Sequence, residues 1–142
     1  MTLVYFDASA LVKLVIDEDG SDLVARLWDG CDAAVASRLA YVEVCSALAA
    51  SHRNKDLSAS DLDSALAGFD TFWASVRALQ LTEHVQLRAG QLAREHALRG
   101  ADAVHLASAL AVGYSDLVMA VWDQRLSAGA RAAGLTVSPA PS

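Results

Sequence analysis

Short apolar runs alternate with helical patterns along almost the whole chain, and this alternation constrains the fold more than any other feature. The first run, residues 2–6 (TLVYF), is continuous and rich in strand-forming residues, which is typical of strands covered on both faces. Four weaker runs follow, at residues 33–36, 79–81, 117–121 and 135–137. Strands that alternate with helices are joined by right-handed crossovers into a parallel sheet. The sequence therefore predicts a three-layer α/β/α domain with a central parallel sheet of about five strands.

Two segments between the runs have the spacing of amphipathic helices. The first follows the candidate N-caps Ser58 and Ser60, and the second is expected to end at Gly100. The repeating positions are Leu62, Leu66, Phe69 and Trp73 in the first helix and Val85, Ala89, Leu92 and His96 in the second. We expect the first set either to join the core or to form part of a protein interface.

The chain is long enough for one domain with a substantial core, and it contains no repeat or linker. We expect one domain over residues 1–138. Both prolines lie in the last four residues, so residues 139–142 are expected to form a frayed tail. No apolar run approaches the ~18 residues of a membrane-spanning helix, and Asp7 interrupts the only N-terminal apolar segment. These features predict a cytoplasmic protein that does not contact a membrane.

Charge and cysteine content narrow the chemistry. The formal net charge of −6 argues against a simple electrostatic nucleic-acid binder, unless divalent cations occupy the negative region and supply positive charge. In that case the metal-free protein is expected to bind nucleic acid poorly. Cys31 and Cys45 have no CxxC spacing and no His at ligand spacing, so we expect reduced, packed thiols and no zinc.

Two acidic residues follow apolar runs directly. Asp7 comes at the end of the first run, and Asp123 comes just after the fourth. Ligands of parallel sheets bind beyond the carboxyl ends of the strands, so both positions are candidate binding sites. The sequence leaves an alternative open for each, because aspartate is also a favoured N-cap of a following helix.

Two further acids lie in nearly all-apolar helical segments. Glu43 is in LAYVEVCSALAA with no Lys or Arg three or four positions away, and Asp102 is the third residue of GADAVHLASALAV, in the first turn of the predicted helix. A buried, unpaired carboxylate costs several kcal/mol or becomes protonated, and a metal ion would relieve either problem. The alternatives are a solvent-facing stripe for Glu43 and a favourable helix-dipole position for Asp102.

Two polar residues near these acids, His105 and Arg125, each have two possible roles. His105, three positions after Asp102, is either a hydrogen-bonded structural residue or a residue that supports the site or contacts substrate. Arg125 is expected to pair with a carboxylate or to reach a phosphate.

Four acids in one cleft would form a set of hard oxygen ligands, which suits Mg²⁺ or Mn²⁺. Competing sites have no residue support, because the chain lacks a GxxxxGK[ST] loop, a GxGxxG turn and a GxSxG elbow. A phosphorylated aspartate at Asp7 would need a second Asp where Ser9 stands. The residues alone therefore predict a phosphate or phosphodiester hydrolase that uses a hard divalent ion.

Four stretches together resemble the PIN-domain family, and within it the VapC-type ribonuclease toxins of toxin–antitoxin pairs. They are YFDASALVKL, SRLAYVEVCSAL, GADAVHLASAL and VMAVWDQRL, and they cover almost the whole chain in order and spacing. The resemblance implies that an acidic quartet holds Mg²⁺ or Mn²⁺ and that its first and third members are the principal ligands. The quartet is Asp7, Glu43, Asp102 and Asp123. The resemblance also implies that Ser9 helps to orient Asp7.

The same resemblance implies an endoribonuclease that acts with a metal-activated water, which Asp123 or Glu43 would position or deprotonate. It implies a VapB-like antitoxin across the apolar surface and a homodimer. Trp122 departs from the pattern, because family members often have a small or hydroxyl residue there, and this change would affect substrate choice. Two other hypotheses remain: a binding module that complexes an antitoxin and tunes its DNA binding, and a PIN-type nuclease for DNA or ribosomal-RNA processing.

Overall fold

The structure, a computed structural model, describes residues 1–113 and 115–140. Strands and helices alternate along this part of the chain, as the apolar runs predict. In chain order the elements are β1 (Leu3–Phe6), α1 (Ala8–Val12), α2 (Ser21–Gly30), β2 (Ala33–Ser37), α3 (Leu39–Arg53), α4 (Ala59–Trp73), β3 (Arg77–Leu79), α5 (Glu83–His96), α6 (Gly100–Val112), β4 (Leu117–Ala120), α7 (Gln124–Ala132) and β5 (Thr136–Ser138).

The five strands of the described chain form one parallel sheet in the order β3-β2-β1-β4-β5. The central strand β1 pairs with β2 on one side and with β4 on the other. The predicted α/β/α fold with a parallel sheet is therefore confirmed.

Alternate residues of the strands build two separate cores. Tyr5 points to the face covered by α5, α6 and α7, whereas Phe6 points to the face covered by α1 to α4. Both side chains have no exposed surface. This alternation on a strand buried on both faces explains why the first apolar run is continuous.

Strand boundaries differ from the sequence prediction, most of all for the third strand. The apolar run 79–81 predicts a strand there, but β3 ends at Leu79, and Leu81 is 59% exposed. Pairing with β2 sets the position of this short edge strand, since Val35 lies opposite Arg77 and Ser37 opposite Leu79. A three-residue apolar run carries too little information to define that register.

The prediction that Gly100 ends α5 is wrong. The helix ends at His96, Ala97 takes the left-handed conformation at φ 52°, and Gly100 is the first residue of α6. The Leu98 N–H bonds to the Ala93 carbonyl, and the Leu98 side chain lies in the core. An apolar residue that docks after a left-handed residue is a common helix stop, and here it replaces glycine.

The helical spacing before Trp73 is confirmed, and the Ser58 hydroxyl caps α4 by accepting the Asp61 N–H. Phe69 is buried in the core, whereas Leu62, Leu66 and Trp73 are partly buried against it, so their part in a protein interface stays a prediction. Cys31 and Cys45 are free, partly buried thiols. No helix in the described residues is long and apolar enough to cross a membrane. The predicted tail, residues 139–142, includes residues 141 and 142, which lie outside the described residues, and the domain boundary at 138 stays a prediction.

Candidate active site at the carboxyl edge of the sheet

Asp7 lies at the carboxyl end of the central strand and also caps α1. Its Oδ1 accepts the Ala10 N–H at 2.9 Å and the Ser9 hydroxyl at 2.8 Å, so Ser9 does help to orient it. Among the described residues, none donates a hydrogen bond to Oδ2. The residue is 5% exposed, and burial raises the pKa of its carboxyl against the opposing effect of these hydrogen bonds. The buried charge of Asp7 is therefore unfavourable for folding, and Oδ2 of its carboxylate is available to bind a ligand.

Glu43 lies in the second turn of α3, beyond the carboxyl end of β2. Its side chain is 30% exposed, and its Oε1 is 2.5 Å from Nε2 of His105 on α6. The other ring nitrogen of His105 is 2.7 Å from the Tyr5 hydroxyl, which also accepts the Ser37 N–H at 3.3 Å. The partner that the local sequence of Glu43 lacks therefore comes from the opposite helical layer.

Asp102 and Asp123 share a cation that the sequence analysis missed. Nε of Arg99 donates to Asp102 Oδ2 at 3.1 Å, and a terminal nitrogen of Arg99 lies 3.7 Å from Asp123 Oδ2. Asp102 is in the first turn of α6, and Asp123 caps α7 by accepting the Leu126 N–H at 2.9 Å. Because Arg99 is 77% exposed, this bridge is weak and easily opened.

The four acids surround one edge of the sheet without forming a ready-made cage. The charge of Asp102 raises the pKa of Asp7 and that of His105 lowers it, which places all three groups in one neighbourhood. In the ranges 1–113 and 115–140, however, no three acidic, His or Cys side chains converge closely enough to enclose a metal ion. Mg²⁺ does not need such a cage, because it keeps several waters and binds through one or two carboxylates. The oxygen donors and the uncompensated Asp7 carboxylate fit a hard divalent ion.

Arg125 and Trp122, which the sequence analysis singled out, both lie near Asp123. Arg125 contacts the Ala97 carbonyl at 3.5 Å, rather than a carboxylate. Trp122 packs beside Gly20, and the Lys13 ammonium lies 5.0 Å from the centre of its ring. Trp122, which precedes Asp123, therefore contacts residues at the end of α1 and the start of α2.

Sequence signals existed for the residues that were missed. Tyr5 is a polar-tipped residue in the most buried strand, and a buried phenol usually needs a hydrogen-bond partner. Arg99 precedes Asp102 by three positions, which is pairing distance on a helix surface. The contact between Glu43 and His105 spans 62 residues of sequence and has no local signal.

The fold and the site define a class: a doubly covered parallel α/β domain with acids collected at the carboxyl edge of the sheet. Residues 4–121 match the PIN domain family. The chain belongs to this family.

A curated relative and two solved structures are similar over nearly the whole chain. Ribonuclease VapC45 of Mycobacterium tuberculosis (strain CDC 1551 / Oshkosh) is 63% identical over 140 residues, which cover 99% of this chain and 97% of the relative. The crystal structure of Mycobacterium tuberculosis VapC20, a sarcin-ricin loop cleaving toxin, has a TM-score of 0.69 at 18% identity and 94% and 96% coverage. A toxin–antitoxin complex from Klebsiella pneumoniae has a TM-score of 0.67 at 17% identity and 89% and 91% coverage.

Proposed function

We propose that this protein is a Mg²⁺- or Mn²⁺-dependent endoribonuclease and the toxin of a toxin–antitoxin pair. The observation that carries the proposal is the buried Asp7 carboxylate at the carboxyl edge, with one free oxygen and Asp102 nearby. The 63% identity to a protein named a ribonuclease supports RNA as the substrate. We also propose that the protein acts in the cytoplasm, where RNA is available.

The proposed ligands divide into two pairs. Asp7 and Asp102 are the principal ligands, because the PIN-domain pattern implies that role for both and the charge of Asp102 raises the pKa of the Asp7 carboxyl. Glu43 and Asp123 flank them from α3 and α7. A bound Mg²⁺ or Mn²⁺ supplies a water of lowered pKa and neutralises charge on the phosphate.

Side chains of this protein orient the proposed ligands, the attacking water and the RNA. Ser9 and the Ala10 N–H hold Oδ1 of Asp7, which leaves Oδ2 for an ion. Glu43, held by His105, is placed to orient the attacking water or to accept its proton. Arg99 pairs with Asp102 and Asp123, and its exposed guanidinium would be available to an RNA phosphate if a metal ion were held by these two acids.

The test is digestion of total RNA by the purified protein, freed of antitoxin, with Mg²⁺, with Mn²⁺ and with EDTA. Asp7→Asn keeps an oxygen for the helix cap and should abolish cleavage while circular dichroism stays unchanged. Asp63→Asn, an exposed site on α4, is the matched control and should cleave normally. Discrete fragments in EDTA, or with Asp7→Asn, would contradict the proposal.

Parallel digestions separate the competing functions. Cleavage of single-stranded or flapped DNA in preference to RNA would favour a DNA nuclease. No cleavage by folded protein with bound metal, together with unchanged antitoxin binding by Asp102→Asn, would favour a binding module.

An antitoxin partner has a candidate surface around the segment that follows α1. Two adjoining cavities of about 530 and 550 Å³ share an apolar floor of Leu14, Val15, Ile16 and Phe72. Exposed acids surround this floor, at Asp17, Asp22, Asp29, Asp56 and Asp61. The complex from Klebsiella pneumoniae supports a protein partner, and the surface suits an apolar segment flanked by Lys or Arg.

Neutralising this rim tests the assignment. Asp56→Asn with Asp61→Asn should weaken binding of the cognate antitoxin at low salt, whereas Asp63→Asn should not. Unchanged affinity of the double variant would place the antitoxin elsewhere. A homodimer of the isolated chain stays a proposal, which sedimentation equilibrium would check.

A further inference from the structure

A buried chain of hydrogen bonds runs from the centre of the sheet to Glu43. It begins at the Ser37 N–H, passes through the Tyr5 hydroxyl and the His105 ring, and ends at Glu43 Oε1. Tyr5 is 0% and His105 is 1% exposed, so water does not compete for these bonds. Only the Glu43 end reaches solvent, with 30% of its side chain exposed.

The donors and acceptors give this chain a direction. The Tyr5 oxygen accepts the Ser37 N–H, so its own proton is available for Nδ1 of His105. On the other side of the ring, Nε2 faces Glu43 Oε1, and because a carboxylate oxygen only accepts, the N–H at Nε2 donates to it.

Packing alone does not require these polar groups. The ring of His105 meets the ring of Tyr5 edge-on at 5.8 Å beside a large apolar core, with Ser37 and Ser108 as further buried polar residues nearby. A Phe and a Leu would fill the same space without burying two polar groups, and buried polar groups are costly unless fully paired. We therefore attribute the presence of these buried polar groups to the hydrogen bond that they make with Glu43.

Resting on the proposed metal-dependent function, we propose that His105, oriented by Tyr5, is a positioning residue that holds Oε1 of Glu43. Oε2 is thereby left to take the metal ion or a water bound to it. The interaction joins α6 to α3 across the carboxyl edge, so it couples the two helical layers at the site. Residues that orient metal ligands in this way typically change metal affinity or activity 10- to 100-fold when replaced.

A double-mutant cycle on Mn²⁺ affinity tests this role without relying on RNA cleavage. Calorimetry would measure the Mn²⁺ dissociation constant of wild type, His105→Leu, Glu43→Ala and the double variant. We expect His105→Leu to weaken binding about tenfold in the wild-type background. With Glu43 absent, the same change should alter binding by less than about twofold, because nothing remains to be positioned.

Conservative variants separate positioning from packing. His105→Gln keeps an N–H donor near the position of Nε2 and should recover most of the affinity. Tyr5→Phe should give an intermediate loss. Tyr41→Phe is its matched control, because it removes a phenol hydrogen bond of 2.8 Å to Asp70 outside the chain, and it should leave affinity unchanged.

The outcomes distinguish the two proposals. Equal losses from His105→Leu with and without Glu43 would show a purely structural role and overturn this inference alone. Absence of Mn²⁺ binding by folded wild-type protein would overturn the metal centre and this inference with it. If His105→Leu does not fold, Tyr5→Phe replaces it in the cycle and the same criterion applies.

Discussion

Asp7 both caps a helix and carries a buried carboxylate at the proposed metal site. Its Oδ1 completes the first turn of α1, and its position at the end of the central strand buries the charge almost completely. Two hydrogen bonds lower the pKa of the carboxyl, but the loss of hydration outweighs them and the pKa rises. The fold therefore keeps a carboxylate where its charge is unfavourable until a cation arrives.

We expect Asp7→Asn to stabilise the metal-free protein at pH 7 by about 1–3 kcal/mol, because it removes a buried charge and keeps the cap oxygen. Since folding raises the pKa of Asp7, the folded state binds its proton more tightly than the unfolded state. The stability of wild type relative to the variant is thus greatest below the ordinary carboxyl pKa. It falls as pH rises from there through the raised pKa.

Urea denaturation of both proteins in EDTA, from pH 4 to 7, measures this difference. Saturating Mg²⁺ should reverse the order, because only wild type gains binding energy from the ion. A variant less stable than wild type in EDTA at pH 7 would show that the Asp7 charge is already compensated.

Arg99 is expected to influence the affinity for metal ions. Its guanidinium neutralises Asp102 and Asp123, so it competes with a metal ion for the same charge. We expect Arg99→Gln to tighten Mn²⁺ binding about two- to fivefold at low salt, in line with weak exposed ion pairs. The gain should shrink as salt screens the competition.

Calorimetry at two salt concentrations would measure this effect, with Arg88→Gln on α5 as a control, because Arg88 bonds to Gln91 and to no acid among the described residues. Weaker Mn²⁺ binding by Arg99→Gln would instead mean that Arg99 helps to hold the acids in place.

At the scale of elements, the sequence predicted what depends on local pattern. A continuous apolar run defined β1, and regular spacing defined α4 and α5, because burial imposes those periods directly. The register of β3 depends on its neighbour β2, and the end of α5 depends on the docking of Leu98. The pairing of Glu43 with His105 arises only when α3 and α6 meet, so no single segment contains it.

The start of α2 also depends on a contact with a residue far away in the sequence, and mutation can measure this dependence. Gly20 precedes α2 at φ 92°, and a Cβ there would lie 2.8 Å from Cζ2 of Trp122. Gly20→Ala should therefore destabilise the protein by about 1–3 kcal/mol, through backbone strain and displacement of the indole.

Gly30→Ala at the other end of the same helix is the matched control. A Cβ at Gly30 meets nothing within 4 Å, and its backbone is helical, so we expect no loss of stability. Denaturant midpoints of the two variants would make the comparison. A stable Gly20→Ala protein would mean that Trp122 moves aside at little cost.

At the scale of the whole molecule, the distribution of charge links the fold to the proposed activity. A parallel sheet gathers the ends of its strands at one edge, and here that edge carries acids just after β1, within α3 and α6, and just before α7. The net charge of −6 repels a polyanion, so nucleic-acid binding needs added positive charge. We propose that residues 1–138 act as one domain whose affinity for RNA is set by the ion at this edge.

This arrangement predicts that RNA binding, and not only cleavage, depends on the divalent ion. Fluorescence anisotropy with labelled RNA should give a dissociation constant at least about tenfold weaker in EDTA than in Mn²⁺, because bound cations invert the local potential. Because the protein is proposed to cleave ordinary RNA in Mn²⁺, the labelled RNA carries non-hydrolysable linkages, and a gel run on the same samples would verify that it stays intact during the titration. In Mn²⁺ the affinity should fall with added NaCl, whereas in EDTA salt should screen repulsion and weaken binding less. Equal affinity in both conditions would place the RNA on a surface away from the four acids. The ion would then act in the chemical step alone.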